Sequence, residues 1–310
     1  MAVRMAVKIG KISLKNPVMV ASGTFGAGEE HADFTDINKL GALVTKTITL
    51  RARQGNRPPR VVETSSGMLN SIGLENAGVD YFIEHKMPFL KRLAVPVIVS
   101  AGGESADDLV ELVRRLEGLD ISGIELNLSC PNVHGGAGKE RGHGLISQSA
   151  EETRRLVKKI RAMTRLTLIA KLSPNVTDIA AIACAAQDGG SDAVSLVNTF
   201  LGMAVDIRTR RPKLGAVTGG LSGPAIKPLA LRMVWETFKK VSIPVIGIGG
   251  IMNANDALEF ILCGATAVQI GTANFIDPSV TADTIEGIGA YLKEHNLKNI
   301  HELRGAVAIS

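Results

Sequence analysis

One cysteine and two amides crowd the segment Asn127-Leu-Ser-Cys130-Pro-Asn132, directly after the apolar run Ile121-Ser-Gly-Ile-Glu-Leu126. Pro131 has no N–H and disfavours helix for the residue before it, so the strand ends here and Cys130 stands at its carboxyl end. In α/β folds that end of the strands is where ligands bind. A thiol so placed can act as a base or as a nucleophile, and the segment alone leaves both open.

Two lysines interrupt otherwise apolar strands: Lys46 in Leu43-Val-Thr-Lys-Thr47 and Lys171 in Leu168-Ile-Ala-Lys-Leu172. An unpaired buried ammonium is costly, so each needs an anion. A structural ion pair with Glu125 accounts for one lysine; two at matching strand ends favour a ligand. Asn70 in Gly67-Met-Leu-Asn-Ser-Ile-Gly-Leu74, Asn127, Asn132, and Asn198 with Thr199 repeat the theme. Singly, each asparagine reads as a turn or cap. Four on strand-end loops suit a planar ligand with several carbonyl and N–H groups, because an amide both donates and accepts.

The runs Ile246-Gly-Ile-Gly-Gly-Ile251 and Ala265-Thr-Ala-Val-Gln-Ile-Gly271-Thr272 place glycines at two further strand ends. Glycine serves tight turns too. Two such loops on adjacent strands, however, suit a phosphate cradle at Gly249, Gly250, Gly271 and Thr272. Other chemistries lack their residues. The six histidines form no ligand set, with His134 a minor candidate at the site entrance, and no Gly-x-Ser-x-Gly elbow occurs. The three cysteines (Cys130, Cys184, Cys263) are too dispersed for a disulfide framework or a Cys-x-x-Cys metal site. Cys184 and Cys263 fall in helical patterns and read as buried structural thiols.

These residues need a scaffold, and the chain alternates between two textures that provide one. After a strand pair near 7–12, β-rich runs recur at 17–21, 43–47, 96–101, 123–128, 168–172, 193–198, 244–249 and 267–271. Near-continuous Val/Ile/Leu composition is that of parallel strands buried on both faces. Between them lie helical patterns at 106–116, at 149–163 behind the capping-box signature Ser149-Ala-Glu-Glu152, from 177, and at 255–263 before Gly264. Eight such units predict an α/β fold, a (β/α)8 TIM barrel with a short N-terminal β-hairpin, in one domain over 1–310. The excess length falls at 51–75, 130–148 and 198–228, predicted as long inserted loops on the catalytic face.

With 310 residues, 45% hydrophobic and 21% charged, the chain has ordinary globular composition. Aromatics at 4% and a net charge of +5 provide neither stacking platforms nor a dense basic tract for nucleic acid. The richest basic stretch, from Arg51 to Arg60, reads equally as a solvated loop or as an anion-attracting one. No run approaches a membrane span, the amino terminus has no long apolar core, and a reduced, cytoplasmic setting is expected.

The motifs Ala21-Ser-Gly-Thr24, Thr45-Lys-Thr47, Met68 to Leu74, Asn127 to Asn132, Lys171-Leu-Ser-Pro-Asn175, Asn198-Thr199, Gly220-Leu-Ser-Gly-Pro-Ala225 and Gly247 to Ile251 follow one another along nearly the whole chain. In this order they resemble dihydroorotate dehydrogenases. Cysteine at 130 is similar to the class 1 enzymes, where the membrane-associated class 2 enzymes carry serine, and the wording around it is most like the class 1B catalytic subunit. The resemblance implies oxidation of dihydroorotate to orotate in pyrimidine (UMP) biosynthesis, with one FMN per chain across the barrel mouth. By resemblance Gly249, Gly250, Gly271 and Thr272 meet its phosphate. Ser22, Lys46, Thr47, Ser100, Asn127, Lys171, Val197 and Gly223 meet the rest of it. Ser100 stands where the family usually has asparagine, and 136–149 departs from the usual class 1B wording.

The resemblance also places dihydroorotate against Lys46, Asn70, Ser71, Ile72, Gly73, Leu74, Asn127, Asn132, Asn198 and Thr199. Cys130 then takes the C5 proton while hydride leaves C6 for flavin N5. Class 1B implies a homodimer core within a heterotetramer, whose partner subunit carries FAD and a 2Fe–2S cluster and passes electrons to NAD. Fumarate, as in class 1A, is the alternative acceptor, and a related flavin barrel acting on other dihydropyrimidines is the alternative enzyme. A Schiff-base lyase using Lys46 or Lys171 and a non-catalytic scaffold barrel complete the alternatives.

Overall fold

A computed structural model describes residues 3–103, 105–128 and 148–309. The chain opens with an antiparallel hairpin, β1 (Val7–Ile9) and β2 (Ile12–Leu14). It continues through β3 (Val18–Val20) and β4 (Leu43–Val44), then makes an excursion carrying β5 (Val61–Thr64) and β6 (Gly67–Asn70). Next come β7 (Val97–Ala101), β8 (Gly123–Asn127), β9 (Thr167–Lys171) and β10 (Ala193–Leu196). A second excursion carries β11 (Phe200–Met203), β12 (Val205–Asp206), β13 (Arg211–Pro212) and β14 (Thr218–Ser222). β15 (Val245–Ile248) and β16 (Ala267–Ile270) follow.

Eight of these strands form one parallel sheet in the order β3-β16-β15-β10-β9-β8-β7-β4. A parallel bridge from Met19 to Ala42 joins its two edges, closing the predicted barrel. β3, β7 and β9 are buried along their whole length, as strands covered by helices on one side and by the barrel interior on the other must be. The helices bury the apolar stripes read from the sequence. Ala106–Glu117 turns in Leu109, Val110, Leu112, Val113 and Leu116. Ala150–Arg161 starts where the Ser149 side chain accepts from the N–H of Glu152. Ile179–Asp188 and Ala254–Leu262 start likewise behind the Asp178 and Asn253 caps.

Three expectations change. The insertions at 51–75 and 198–228 are not free loops. They meet in a four-stranded antiparallel sheet, order β11-β14-β6-β5, in which Asn70 pairs with Gly220. Each excursion thereby satisfies its backbone groups against the other. Gly220 is required for this closeness, since a Cβ there would lie 2.0 Å from Thr199 Oγ1. Nearly all of the third insertion, 130–148, lies outside the described residues. The second correction is that β4 ends at Val44, because the N–H of Lys46 turns away to the carbonyl of Gly26. Lys46 therefore follows its strand rather than lying within it. Finally, Cys184 and Cys263 are half-buried at helix surfaces, not core thiols. Cys184 Sγ lies 3.7 Å from the carbonyl of Lys240, and burial pushes the Cys263 thiol up.

Candidate active site

The carboxyl ends of the barrel strands and the inserted sheet enclose a cavity of about 420 Å³, within the range of small-molecule sites. Its floor is polar. Ser22 follows β3, Lys46 and Thr47 follow β4, Asn127 and Lys171 end β8 and β9, and Val197, Asn198 and Thr199 follow β10. In-register pairing of β8 with β9 sets Asn127 directly beside Lys171.

Hydrogen bonds hold this floor in one arrangement. The Thr47 hydroxyl lies 3.1 Å from that of Ser22 and 2.9 Å from that of Ser100. Asn127 donates to Thr47 Oγ1 at 3.1 Å, and Asn198 donates to Asn127 Oδ1 at 3.4 Å. The N–H of Thr199 in turn donates to Asn198 Oδ1 at 2.8 Å. Each amide is thus oriented by its neighbours before any ligand arrives, which is the condition for a pre-organised site.

The opposite wall is glycine-rich. Gly249 and Gly250 follow β15, and Gly271 and Thr272 follow β16. Gly249 and Gly250 have φ of 128° and 74°, values that side chains disfavour. Among the described residues, none of these four backbone N–H groups finds a protein acceptor. Behind them Lys227 Nζ binds Asp256 Oδ1 at 2.6 Å and Glu259 Oε1 at 3.0 Å, while Asp256 Oδ2 accepts from the N–H of Met252 at 2.8 Å. The hydrogen bond to Asp256, reinforced by that to Glu259, holds the Lys227 ammonium above the usual lysine range despite burial.

The two lysines singled out in the sequence sit differently. Lys171 is 7% exposed and lies 3.8 Å from Glu125, which is fully buried. Lys46 is 39% exposed and faces Glu75, itself 49% exposed, also at 3.8 Å. Lys171 therefore satisfies both readings of the sequence: it is paired with Glu125, and it lines the cavity.

The inserted sheet and the loop behind it roof the cavity with Asn70, Ile72, Gly73, Leu74 and Gly223. Asn70 donates to the carbonyl of Gly220 at 3.4 Å. Two of the expected residues are not on the wall. Ser71 is buried facing Asn56, whose amide donates to it at 2.8 Å, and Ser100 is buried behind Thr47. Cys130 and Asn132, like His134, lie outside the described residues. The basic stretch is partly occupied internally, since Arg60 donates to the carbonyls of Asn56 and Gln54.

Val61, Met68, Ser222, Met252 and Phe275 also line the cavity, and the sequence assigned none of them a contact there. Met68 had a signal, because it stands two residues before Asn70 on one strand and so shares its face. Gln269 had one as well: like the lysines, it is a polar residue in an apolar strand. It lies under the floor, bound to Glu125.

Residues 4–292 match the model of the dihydroorotate dehydrogenase family. A protein of Desulforamulus reducens is 52% identical over 307 residues, covering 99% of both chains. One of Bacteroides thetaiotaomicron is 52% identical over 306 residues (98% of this chain, 99% of the other), and one of a Geobacter species 51% over 308 (98% of each). All three are named dihydroorotate dehydrogenase B (NAD(+)), catalytic subunit. With its closed parallel barrel and a family match over nearly its whole length, this chain belongs to the dihydroorotate dehydrogenase family.

Proposed function

We propose that this chain is the catalytic subunit of an NAD-linked dihydroorotate dehydrogenase, oxidising dihydroorotate to orotate in pyrimidine biosynthesis. The observation that carries the reading is the gathering of Lys46, Asn70, Asn127, Asn198 and Thr199 around one cavity that also holds Lys171 and both glycine loops, in a member of this family.

The cavity fits FMN. Four N–H groups that find no protein acceptor among the described residues, at Gly249, Gly250, Gly271 and Thr272, suit a phosphate. Ser22, Thr47, Asn127 and Lys171 supply donors and acceptors for a heterocycle with several carbonyls, with Val197 and Gly223 as its apolar neighbours. When bound, FMN supplies the two-electron acceptor for the hydride that leaves C6 of dihydroorotate. The protein does the rest. Cys130 takes the proton from C5, in the role that an undecided thiol at a strand end left open. Lys46 offers its ammonium to the substrate carboxylate, and the amides of Asn70, Asn127, Asn132 and Asn198 hold the ring's carbonyl and N–H groups. Lys171 sets positive charge beneath the site, favouring a cofactor that gains negative charge on reduction.

A separate subunit with FAD and a 2Fe–2S cluster completes the route to NAD. The relatives' designation as a catalytic subunit supports this, as do three dispersed cysteines, one short of the four thiolates such a cluster needs.

The test is direct. Purified protein is expected to be yellow, and dihydroorotate is expected to bleach it without oxygen, whereas dihydrouracil leaves the colour. Cys130→Ala should keep FMN and slow bleaching at neutral pH by ~10²- to 10⁴-fold, the usual contribution of a general base. A protein that binds no FMN, or whose flavin dihydroorotate does not reduce, overturns the proposal.

A further inference from the structure

Below the cavity floor the barrel interior holds a carboxylate to which the proposed chemistry gives no task. Glu125 precedes Asn127 by two residues on β8, so both face the barrel interior, with Glu125 one layer deeper. Its side chain is fully buried. Ser195 Oγ at 3.0 Å and Gln269 Nε2 at 2.7 Å both donate to Oε2. Among the described residues Oε1 accepts no hydrogen bond, and Lys171 Nζ stands 3.8 Å from it.

This bonding is lopsided. Two donors fix one oxygen and leave the other turned toward the lysine. Stability alone does not call for such a pair, since well-packed apolar residues of the same volume generally serve a core as well or better. Lys171 is at once the partner of Glu125 and part of the cavity wall, so any displacement or change of field at the one reaches the other. With Glu125 fully buried and Lys171 7% exposed, water screens their interaction far less than it would a surface pair.

We infer that Glu125 is a positioning residue for Lys171: anchored by Ser195 and Gln269, it fixes the ammonium at the cavity floor and offsets part of its positive field on the bound flavin. The inference rests on the FMN-dependent reading above. Glu125 thereby sets the flavin's midpoint potential from outside the contact shell, and Lys171 without its counter-charge favours the reduced flavin more strongly.

The experiment measures the midpoint potential of the holoprotein by anaerobic reductive titration against reference dyes. Glu125→Gln keeps the shape and removes the charge. It is expected to raise the reduced-to-oxidised ratio at a fixed potential about tenfold, which is about 30 mV for a two-electron couple. Lys171→Met shifts the potential the opposite way, and Glu125→Asp, which keeps the charge, stays nearer the wild type than Glu125→Gln. An unchanged or lowered potential in Glu125→Gln overturns the inference. Melting of the apoproteins is the second measurement. Lys171→Met leaves Glu125 buried without its counter-charge, so it should melt lower than Glu125→Gln/Lys171→Met; equal melting temperatures overturn the pairing. If Glu125→Gln alone does not fold, that melting comparison decides the matter. Wild-type protein that dihydroorotate does not bleach refutes the functional reading instead, whereas bleached wild type beside an unshifted Glu125→Gln refutes only the role of Glu125.

Discussion

Lys46 and Lys171 follow the same sequence pattern, a lysine closing an apolar strand, and both line one cavity at 3.8 Å from a carboxylate. They differ in what surrounds the pair. Lys171 and Glu125 are 7% and 0% exposed, while Lys46 and Glu75 are 39% and 49% exposed. Equal distances therefore carry unequal energies: solvent screens the outer pair and leaves the inner one its full desolvation cost and full attraction. The inner pair is part of the barrel's construction, and the outer pair leaves a solvent-accessible ammonium at the cavity wall.

The widest gap between the two should appear on truncation. Lys171→Met leaves Glu125 buried without its counter-charge, with two donors among the described residues, and breaking a buried pair from one side costs about 3–5 kcal/mol. Urea unfolding of the apoprotein measures it. A loss under about 1 kcal/mol would place Lys171 in the same class as Lys46 and erase the distinction.

Lys227 tests the intermediate case. It is 26% exposed and bound to Asp256 and Glu259 behind the Gly249–Gly250 turn. Lys227→Met is expected to cost about 1.5 kcal/mol, the lower end for hydrogen bonds to charged groups. If the glycine loops hold FMN as proposed, it should also weaken that binding several-fold by loosening the Met252–Asp256 contact, as fluorescence titration would measure. Its pH dependence has a definite sign. The folded-state ammonium titrates above its unfolded value, so its contribution is complete below the ordinary lysine pKa and disappears as pH rises through the elevated one. From neutral pH upward, the stability difference between wild type and Lys227→Met should therefore hold level to the ordinary lysine pKa and shrink as pH rises through the elevated one. A difference that grows on the alkaline side would reverse the assignment.

These distinctions mark how far the sequence could be read. The barrel strands were legible because each is a continuous buried apolar run, and the helices because caps such as Ser149 and Asn253 sit at their starts. Most of the site was legible by the same logic: polar residues at the ends of apolar strands have to face something. The four-stranded sheet was not. Its strands are short and glycine-rich, and Asn70 meets Gly220 across 150 residues, so no local period announces the pairing. Ser71 neighbours Asn70 and Ile72 in sequence, but its hydroxyl accepts from the Asn56 amide and it stays off the cavity wall that they line. Which lysine would find Glu125 was equally out of reach. The β8–β9 register decides it for Lys171, and the turn of the chain at Lys46 toward Gly26 carries the other lysine outward to Glu75.

The smallest expected effect lies at that outer pair. Glu75 is shared between Lys46 at 3.8 Å and Arg60 at 3.4 Å, all at least partly exposed, so Glu75→Gln should change stability by less than about 0.5 kcal/mol. Its effect on function should be larger in proportion. If Lys46 meets the substrate carboxylate, Glu75 competes for the same ammonium, and removing its charge should lower KM for dihydroorotate about two- to three-fold at low ionic strength. Salt screens exposed charges over about 10 Å at 0.1 M and about 3 Å at 1 M, so the advantage should fade as salt rises while kcat stays level. Steady-state kinetics of Glu75→Gln at both salt concentrations measures this. A KM that rises, or a change that salt leaves intact, would mean that Glu75 helps to place Lys46 as Glu125 places Lys171, and the two strand ends would then work alike.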